Sequence, residues 1–362
     1  MNVTPKLGVT PSAHFSVHHA HPYWYIACQS SELGDQPLSV RLWDTPLVVF
    51  RDEAGAPHAL VDRCAHRNAP LSGGRCREGR IECPYHGWQF DGEGACKKIP
   101  ALVGEPAGKA RRVPAFPVRE QQGFVWVYTD TATSPNHEPF KFPCLEDGAY
   151  THVRHVADFK STLHGAAENI LDVPHTAFLH KGLFRGGSPN SVQTVVRRYE
   201  DRVECQFMGE PRPSGWLAKV LAPGAGEVVH YDRFILPGVA QVDYSVGESG
   251  HLVTTSCLTP VSDFVTRMYS VLSVRLGKWV PMLRPVIVPM VMKVIQQDAW
   301  MLEKQSRAIL EFGGEQFVST DVDLLGPSIT RLLKQASAGQ MQIHPSVEGQ
   351  EAELVSSGEL LA

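Results

Sequence analysis

Apolar and polar positions alternate in short bursts from Tyr23 to about Asp130. The runs "YWYIAC", "LSVRLW", "PLVVFRD", "HALVD", "RIECP", "WQFDGEG" and "FPVREQQGFVWVYTD" are rich in β-branched and aromatic residues, with turn residues between them. Strands recurring at roughly 8–12 residues predict a small all-β module. The stretch "TATSPNHEP" breaks that pattern and reads as a linker. Beyond it the period changes. "HGAAENILDVPHTAFLH" has helical spacing. "SVQTVVRRYEDRVECQFMG", "EVVHYDRFILPGVAQVDYSV", "HLVTTSCLTPV" and "TRMYSVLSVRL" predict consecutive strands of one antiparallel sheet. "VIQQDAWMLEKQSRAILEF" at 294–312 predicts an amphipathic helix that stops at Gly313-Gly314. The expected divisions are an irregular arm at 1–22, a first domain at 23–132, a linker at 133–144, a second domain at 145–338 and a polar, mobile tail at 339–362. The fold class is α+β.

Composition narrows the class. The chain has 362 residues, 43% of them hydrophobic, which suits two domains with real cores. A net charge of −4 argues against a broad basic surface for nucleic acid. The first residues lack the charged-then-apolar pattern of a signal peptide. Eight cysteines are spread from Cys28 to Cys257 without the density of a disulfide scaffold, so a cytoplasmic protein with reduced thiols is expected. The most apolar run, Trp279–Ile295, is interrupted by Arg284, Lys293 and three prolines. It falls short of the roughly 20 residues that a transmembrane helix needs and reads as a buried or pocket-lining segment.

Two constellations carry chemistry. In "CAHRNAPLSGGRCREGRIECPYHGW", Cys64 and His66 form C-x-H, and Cys83 and His86 form C-x-x-H. Two thiolates and two imidazoles suit either structural zinc or a [2Fe–2S] cluster with one iron on two Cys and the other on two His. Each half contributes one Cys and one His, so each loop can reach both irons. Zinc ribbons favour C-x-x-C pairing within a knuckle, which this sequence lacks. Gly73-Gly74, Pro84 and Gly87 would let the loops turn tightly. Cys76 and Cys96 read as ordinary thiols.

The second constellation is "DVPHTAFLH", with His175 and His180 five apart. On one straight helix they would point about 140° apart. Pro174 cannot donate an N–H and its ring clashes with the carbonyl of Ile170, so the helix must kink or end there. Both imidazoles can then turn to one point. Two imidazoles and one carboxylate, with positions left open, is the set that holds Fe(II) for O₂ chemistry. The carboxylate could be Asp172, three residues before His175, or Asp298 on the long helix, where Glu303 is a nearby rival. Glu168 reads as a structural acid and His164 as a core or surface histidine. His14, His18, His19 and His21 read as a flexible arm rather than a metal tract.

Around the first constellation the sequence resembles the Rieske family, and over roughly residues 20–335 it resembles the terminal oxygenase component (alpha subunit) of Rieske non-haem iron oxygenases. The family motif N-x-x-D-x-x-H-x-x-x-x-H, with an aspartate far downstream, is matched by Asn169, Asp172, His175, His180 and Asp298. Ala69 and Tyr85 stand where respiratory Rieske proteins have bracing cysteines, which implies the oxygenase or ferredoxin type. Its potential would then sit towards the lower part of the roughly −150 to +300 mV Rieske range.

The resemblance implies a Rieske [2Fe–2S] domain held by Cys64, His66, Cys83 and His86. A helix-grip (START-like) catalytic domain would follow, with a curved antiparallel sheet around a long C-terminal helix. It implies Fe(II) on His175, His180 and Asp298, with Asp172 linking His175 to His86 of a neighbouring protomer in a homotrimer. The motif most resembles the chlorophyllide and pheophorbide oxygenase branch, with the vanillate-demethylase type behind it. The implied activity is O₂-dependent monooxygenation of a small hydrophobic ring compound. No G-x-G-x-x-G fingerprint occurs, so NAD(P)H would act only through a separate ferredoxin or flavin reductase. A rival reading is a Rieske electron carrier fused to a helix-grip ligand-binding module without a catalytic iron.

Overall fold

The alternating runs of the first half pair into three small antiparallel sheets. We describe them from a computed structural model, which covers residues 14–104, 106, 111–181, 191–210, 228–247, 250–275, 280–340 and 352–361. Trp24–Gln29, Phe124–Tyr128 and Val118–Gln121 form one sheet; Leu38–Leu42, Thr45–Arg51, Pro57–Val61 and Ala115–Phe116 form a second. The third joins Arg75–Arg77, Arg80–Glu82, Gln89–Phe90 and Cys96–Lys98. Phe50, Leu60, Leu71, Ile81 and Phe90 are all fully buried and pack under the last two sheets, together with Cys64 and Cys83. Burial of such side chains contributes roughly 1.5–3 kcal/mol each, which fixes the base on which the loops at 62–70 and 83–88 stand.

The second half is one eight-stranded antiparallel sheet. Its strand order is Thr151–Phe159, Val265–Arg275, Gly250–Ser262, Val239–Val246, Val228–Ile235, Arg202–Met208, Ser191–Arg198 and Glu353–Leu361. Among the described residues four helices accompany it: α1 (Leu163–Leu171), α2 (Thr176–Leu179), α3 (Val280–Glu311) and α4 (Gly326–Ser337). Leu163, Ala166, Ala167 and Leu171 of α1 and Ile329, Leu332 and Leu333 of α4 pack with Phe207, Phe234 and Leu258 from the sheet.

Three sequence expectations change. The helix expected at 294–312 begins at Val280 and continues through Pro285 and Pro289. Both prolines lie on its exposed side, so water can satisfy the carbonyls their missing N–H groups leave free. The side chains of 279–284 and 286–287, most of the run expected to line a pocket, lie outside the described residues. Within the expected tail, Glu353–Leu361 is an edge strand paired with Ser191–Arg198. The expected linker at 133–144 is packed in place: Phe142 is buried against Trp24, Phe124 and Trp126, and Trp24 Nε1 donates to the His137 carbonyl at 2.8 Å.

The two halves share core and hydrogen bonds, both backbone to backbone, as from Trp43 N to the Pro260 carbonyl at 2.9 Å, and side chain to backbone. Thr259 Oγ1 donates to the Ile26 carbonyl at 2.8 Å and Tyr269 Oη to that of Ala27 at 3.0 Å. The arm residues from His14 onward lie across the catalytic half, with His19 Nε2 2.8 Å from Asp263 Oδ1. Among the described residues no helix is long and apolar enough to cross a membrane.

Candidate metal centres

Cys64 and His66 stand on the loop after Pro57–Val61, and Cys83 and His86 on the loop after Arg80–Glu82. Backbone bonds fix both loops: Cys64 N donates to the Ala69 carbonyl at 2.9 Å and Cys83 N to that of Trp88 at 2.8 Å. A Cβ on Gly74 would lie 1.9 Å from the Glu82 carbonyl oxygen, so only glycine allows the two loops to approach. Gly87, next to His86, holds φ +69°, the left-handed region that favours glycine. Ser72 adds a clamp that the sequence reading missed: its N–H and hydroxyl donate to the two oxygens of buried Asp62, at 2.7 and 2.5 Å.

Both cysteines are buried. Burial, with the adjacent Cys83 thiol, pushes the Cys64 thiol up to about 11. A thiolate there needs a cation to stabilise it. The His66 and His86 rings lie 4.6 Å apart, and His66 stacks on Trp88 at 4.6 Å with 3° between planes. Burial and the nearby His86 lower the pKa of His66. His66 Nδ1 is buried without a hydrogen-bond partner among the described residues. The four side chains do not converge on one point, as a single zinc ion requires. Among the described residues the only group of three or more ligand atoms all within 4.8 Å of one another lies elsewhere, at His175, His180 and Asp298. Thiols together, imidazoles together and an orphaned ring nitrogen fit a two-iron cluster.

The second centre begins where α1 ends. Thr162 caps α1 by accepting from Gly165 N, and the helix stops at Asp172 with φ −90° and ψ 106°. Pro174 then starts a turn from which α2 continues as a single helical turn, with His175 at its start and His180 at its end. The break reorients His175, and α2 carries His180 round to meet it. His175 Nε2 is 3.2 Å from His180 Nε2. Asp298 Oδ1, from α3, is 3.1 Å from His180 Nε2 and 3.5 Å from His175 Nε2. His180 is 2% exposed and Asp298 9%.

Two imidazole nitrogens and a carboxylate oxygen therefore face one another out of water. His180 Nδ1 donates to Gln297 Oε1 at 3.0 Å, which leaves a lone pair on Nε2. Asp298 Oδ1 is buried and, among the described residues, has no hydrogen-bond partner besides its ion-pair contacts with the His175 and His180 rings. Such a set needs positive charge between its members, which a proton on His175 supplies here and a bound metal ion would supply in its place. Ligands about 2.1 Å from a metal at right angles lie about 3.0 Å apart, close to the spacing here. Burial lowers the pKa of His175, but the carboxylates of Asp172 and Asp298 outweigh it and raise the imidazole to about 9.

Of the other residues singled out in the sequence, Asp172 Oδ2 accepts from His175 N at 3.3 Å and lies 3.3 Å from His175 Nδ1. It touches the outer edge of His175, not the convergence point. Asn169 is on α1, its Oδ1 buried without a hydrogen-bond partner among the described residues. Glu303 pairs with Lys160 at 3.0 Å and with Arg307, away from the histidines. His164 is a core histidine, its Nε2 2.7 Å from Thr330 Oγ1 and thus joining α1 to α4. Gln297 gave no sequence signal beyond its place beside Asp298.

Comparison with known proteins follows the same division. Residues 23–117 match the Rieske [2Fe-2S] domain, and residues 159–338 match the vanillate O-demethylase oxygenase C-terminal domain. Chlorophyllide a oxygenase, chloroplastic, of Chlamydomonas reinhardtii is 38% identical over 168 residues, 46% of this chain and 25% of that protein. The oxygenase component of dicamba O-demethylase of Stenotrophomonas maltophilia is 35% identical over 164 residues, 44% of this chain and 47% of that protein. The chain thus spans half or less of the length of these relatives. The crystal structure of dicamba monooxygenase bound to dicamba superimposes with a TM-score of 0.76 at 24% identity, covering 90% of this chain and 99% of that one. The chain belongs to the Rieske non-haem iron oxygenases, with a Rieske [2Fe–2S] domain followed by an oxygenase domain of the vanillate O-demethylase type.

Proposed function

We propose that this chain is the terminal oxygenase of a Rieske-type system and monooxygenates a small hydrophobic ring compound. The observation that carries this reading is the convergence of His175, His180 and Asp298 in a chain that also bears the Rieske ligand set. The electron-carrier alternative provides no use for a buried carboxylate facing two imidazoles.

Cys64, Cys83, His66 and His86 would hold a [2Fe–2S] cluster, and His175, His180 and Asp298 would hold Fe(II). When bound, these groups supply single electrons and the activation of O₂. The protein residues supply order. Gln297 fixes the tautomer of His180, and Asp172 holds the backbone and ring of His175. Asp172 would also reach His86 of a neighbouring protomer in a homotrimer. In support, His86 and its neighbour Tyr85 are exposed on the cluster loop. Phe178, beside the second centre, is 86% exposed and suits a subunit contact.

The substrate class follows the named relatives, which include a dicamba O-demethylase and a chlorophyllide a oxygenase. A partner ferredoxin or flavin reductase would bring electrons from NAD(P)H. Eight free cysteines fit a reducing compartment, the cytoplasm in our reading. The test is metal analysis with O₂ uptake. Three irons per chain and substrate-dependent uptake with a surrogate reductase are expected across a panel of ring compounds. Two irons per chain and no uptake would favour the carrier.

A further inference from the structure

Charge is unevenly distributed along this chain. Residues 63–112 carry ten basic against five acidic side chains, although the whole chain is at −4. Part of this excess is neutralised locally: Arg75 pairs with Glu82 at 2.6 Å and Lys97 with Asp91 at 3.3 Å. Arg63, Arg67 and Lys98 are exposed and form no ion pair or side-chain hydrogen bond among the described residues.

Arg63 and Arg67 lie on the first loop that would hold the cluster, and Lys98 ends a strand beside the second. Arg63 and Arg67 flank Cys64 and His66 in sequence, and the charge of Arg67 acts on the His66 ring. Lys98 pairs with Gln89 across a hairpin. Two residues on, Pro100 reaches 3.0 Å from where a Gly87 Cβ would lie, so this strand abuts the second ligand loop. The acids nearest these loops are already occupied: Asp62 by Ser72, and Glu82 by Arg75 and Gln89. Arginine is enriched at protein interfaces and among their hot spots.

We propose that Arg63, Arg67 and Lys98 form the docking surface for an acidic, single-electron carrier protein. The inference rests on the [2Fe–2S] part of the proposed function, because only a chain whose cluster receives electrons from outside needs such a surface. Unpaired cations around an electron entry point raise the encounter rate with a negatively charged partner and orient it. Docking forms and breaks no bond. The electron it serves leaves the carrier's reduced centre and enters the cluster, one for one.

The test is binding, read without turnover. The metal-loaded protein is titrated by calorimetry with a plant-type ferredoxin of acidic surface, at low and at physiological salt. Binding should weaken more than tenfold with salt, since charges at an exposed surface are screened over about 8–10 Å. The double variant Arg63→Glu/Lys98→Glu leaves Arg67 beside His66. It should bind more than tenfold more weakly at low salt, with an unchanged visible spectrum. The variant Arg331→Glu, at an exposed position of α4, should bind like the parent. Charge-to-neutral variants Arg63→Gln and Lys98→Gln serve if the double reversal does not fold. Binding indifferent to salt, or unaffected by these variants, overturns the proposal. So does a changed oligomeric state with unchanged ferredoxin affinity, which would assign this surface to contacts between copies. Normal docking without substrate-dependent O₂ uptake would remove the oxygenase reading and leave the docking surface standing.

Discussion

His180 Nδ1 donates to Gln297 Oε1 at 3.0 Å, and the residue after Gln297 is Asp298, whose carboxylate faces the other nitrogen of the same ring. Two adjacent side chains of α3 thus grip one imidazole from both sides. The relationship sets the tautomer that presents a lone pair to a metal. Gln297→Leu should leave the fold intact and lower iron affinity about 10–100-fold, the usual range for a partner of a ligating histidine. Iron retained per chain after dialysis against a graded chelator measures this. Retention equal to the parent would mean that Gln297 does not orient the ring.

Asp172 sits differently, on the outer edge of His175. Its amide is nearly isosteric, so Asp172→Asn should keep both the cluster spectrum and the iron content. Turnover should nonetheless fall by about 100-fold or more, at or beyond the upper end of what such partners control. Metal analysis and O₂ uptake on one preparation separate the two effects. Lost iron would reassign Asp172 to metal binding.

The cluster loops depend on a contact with no side chain. Gly74→Ala would place a methyl group 1.9 Å from the Glu82 carbonyl. Strain of that kind costs about 1–3 kcal/mol or more, and here it would part the two ligand loops. The purified variant should lack most of its red-brown absorbance. Gly148→Ala, where a methyl group meets nothing within 4 Å, should keep it.

The candidate ligand residues were legible in the sequence because metal chemistry restricts residue type and spacing. C-x-H with C-x-x-H admits few readings, and Pro174 announces the break that joins His175 to His180. The carboxylate was less legible, since Asp172 and Asp298 are chemically equal and only the fold brings one of them to the histidines. Gln297 and the Asp62–Ser72 clamp left no signal because orienting contacts need no motif. The edge strand Glu353–Leu361 was illegible for another reason. Only Leu360 in it is buried, so its place comes from backbone pairing with residues far away in the chain, without a hydrophobic period. Helix α3 ran past prolines that read as punctuation, since their exposed side lets water take over the lost bonds.

A buried ion cluster in the large sheet gives stability its own pH dependence. His230 is 1% exposed. Its Nδ1 lies 2.8 Å from Glu210 Oε2 and its Nε2 2.9 Å from Asp232 Oδ1. The ring stacks between Phe207 at 4.3 Å and Tyr244 at 3.8 Å. Burial lowers its pKa, but the two carboxylates outweigh burial and raise it to about 9. The unfolded chain titrates near 6.5. Because the folded pKa is the higher one, the contribution is fully present below about pH 6.5 and is lost as pH rises through about 9. A tenfold difference in proton affinity between folded and unfolded chains is worth about 1.4 kcal/mol, so the loss amounts to a few kcal/mol. The urea midpoint of the parent should therefore fall steadily between pH 6.5 and 9. In Asp232→Asn one charge partner is gone, the imidazole pKa returns towards its ordinary value, and the same span should flatten. Equal slopes in parent and variant would show that His230 is neutral in the folded protein. The stacked rings, not the charges, would then hold these strands together.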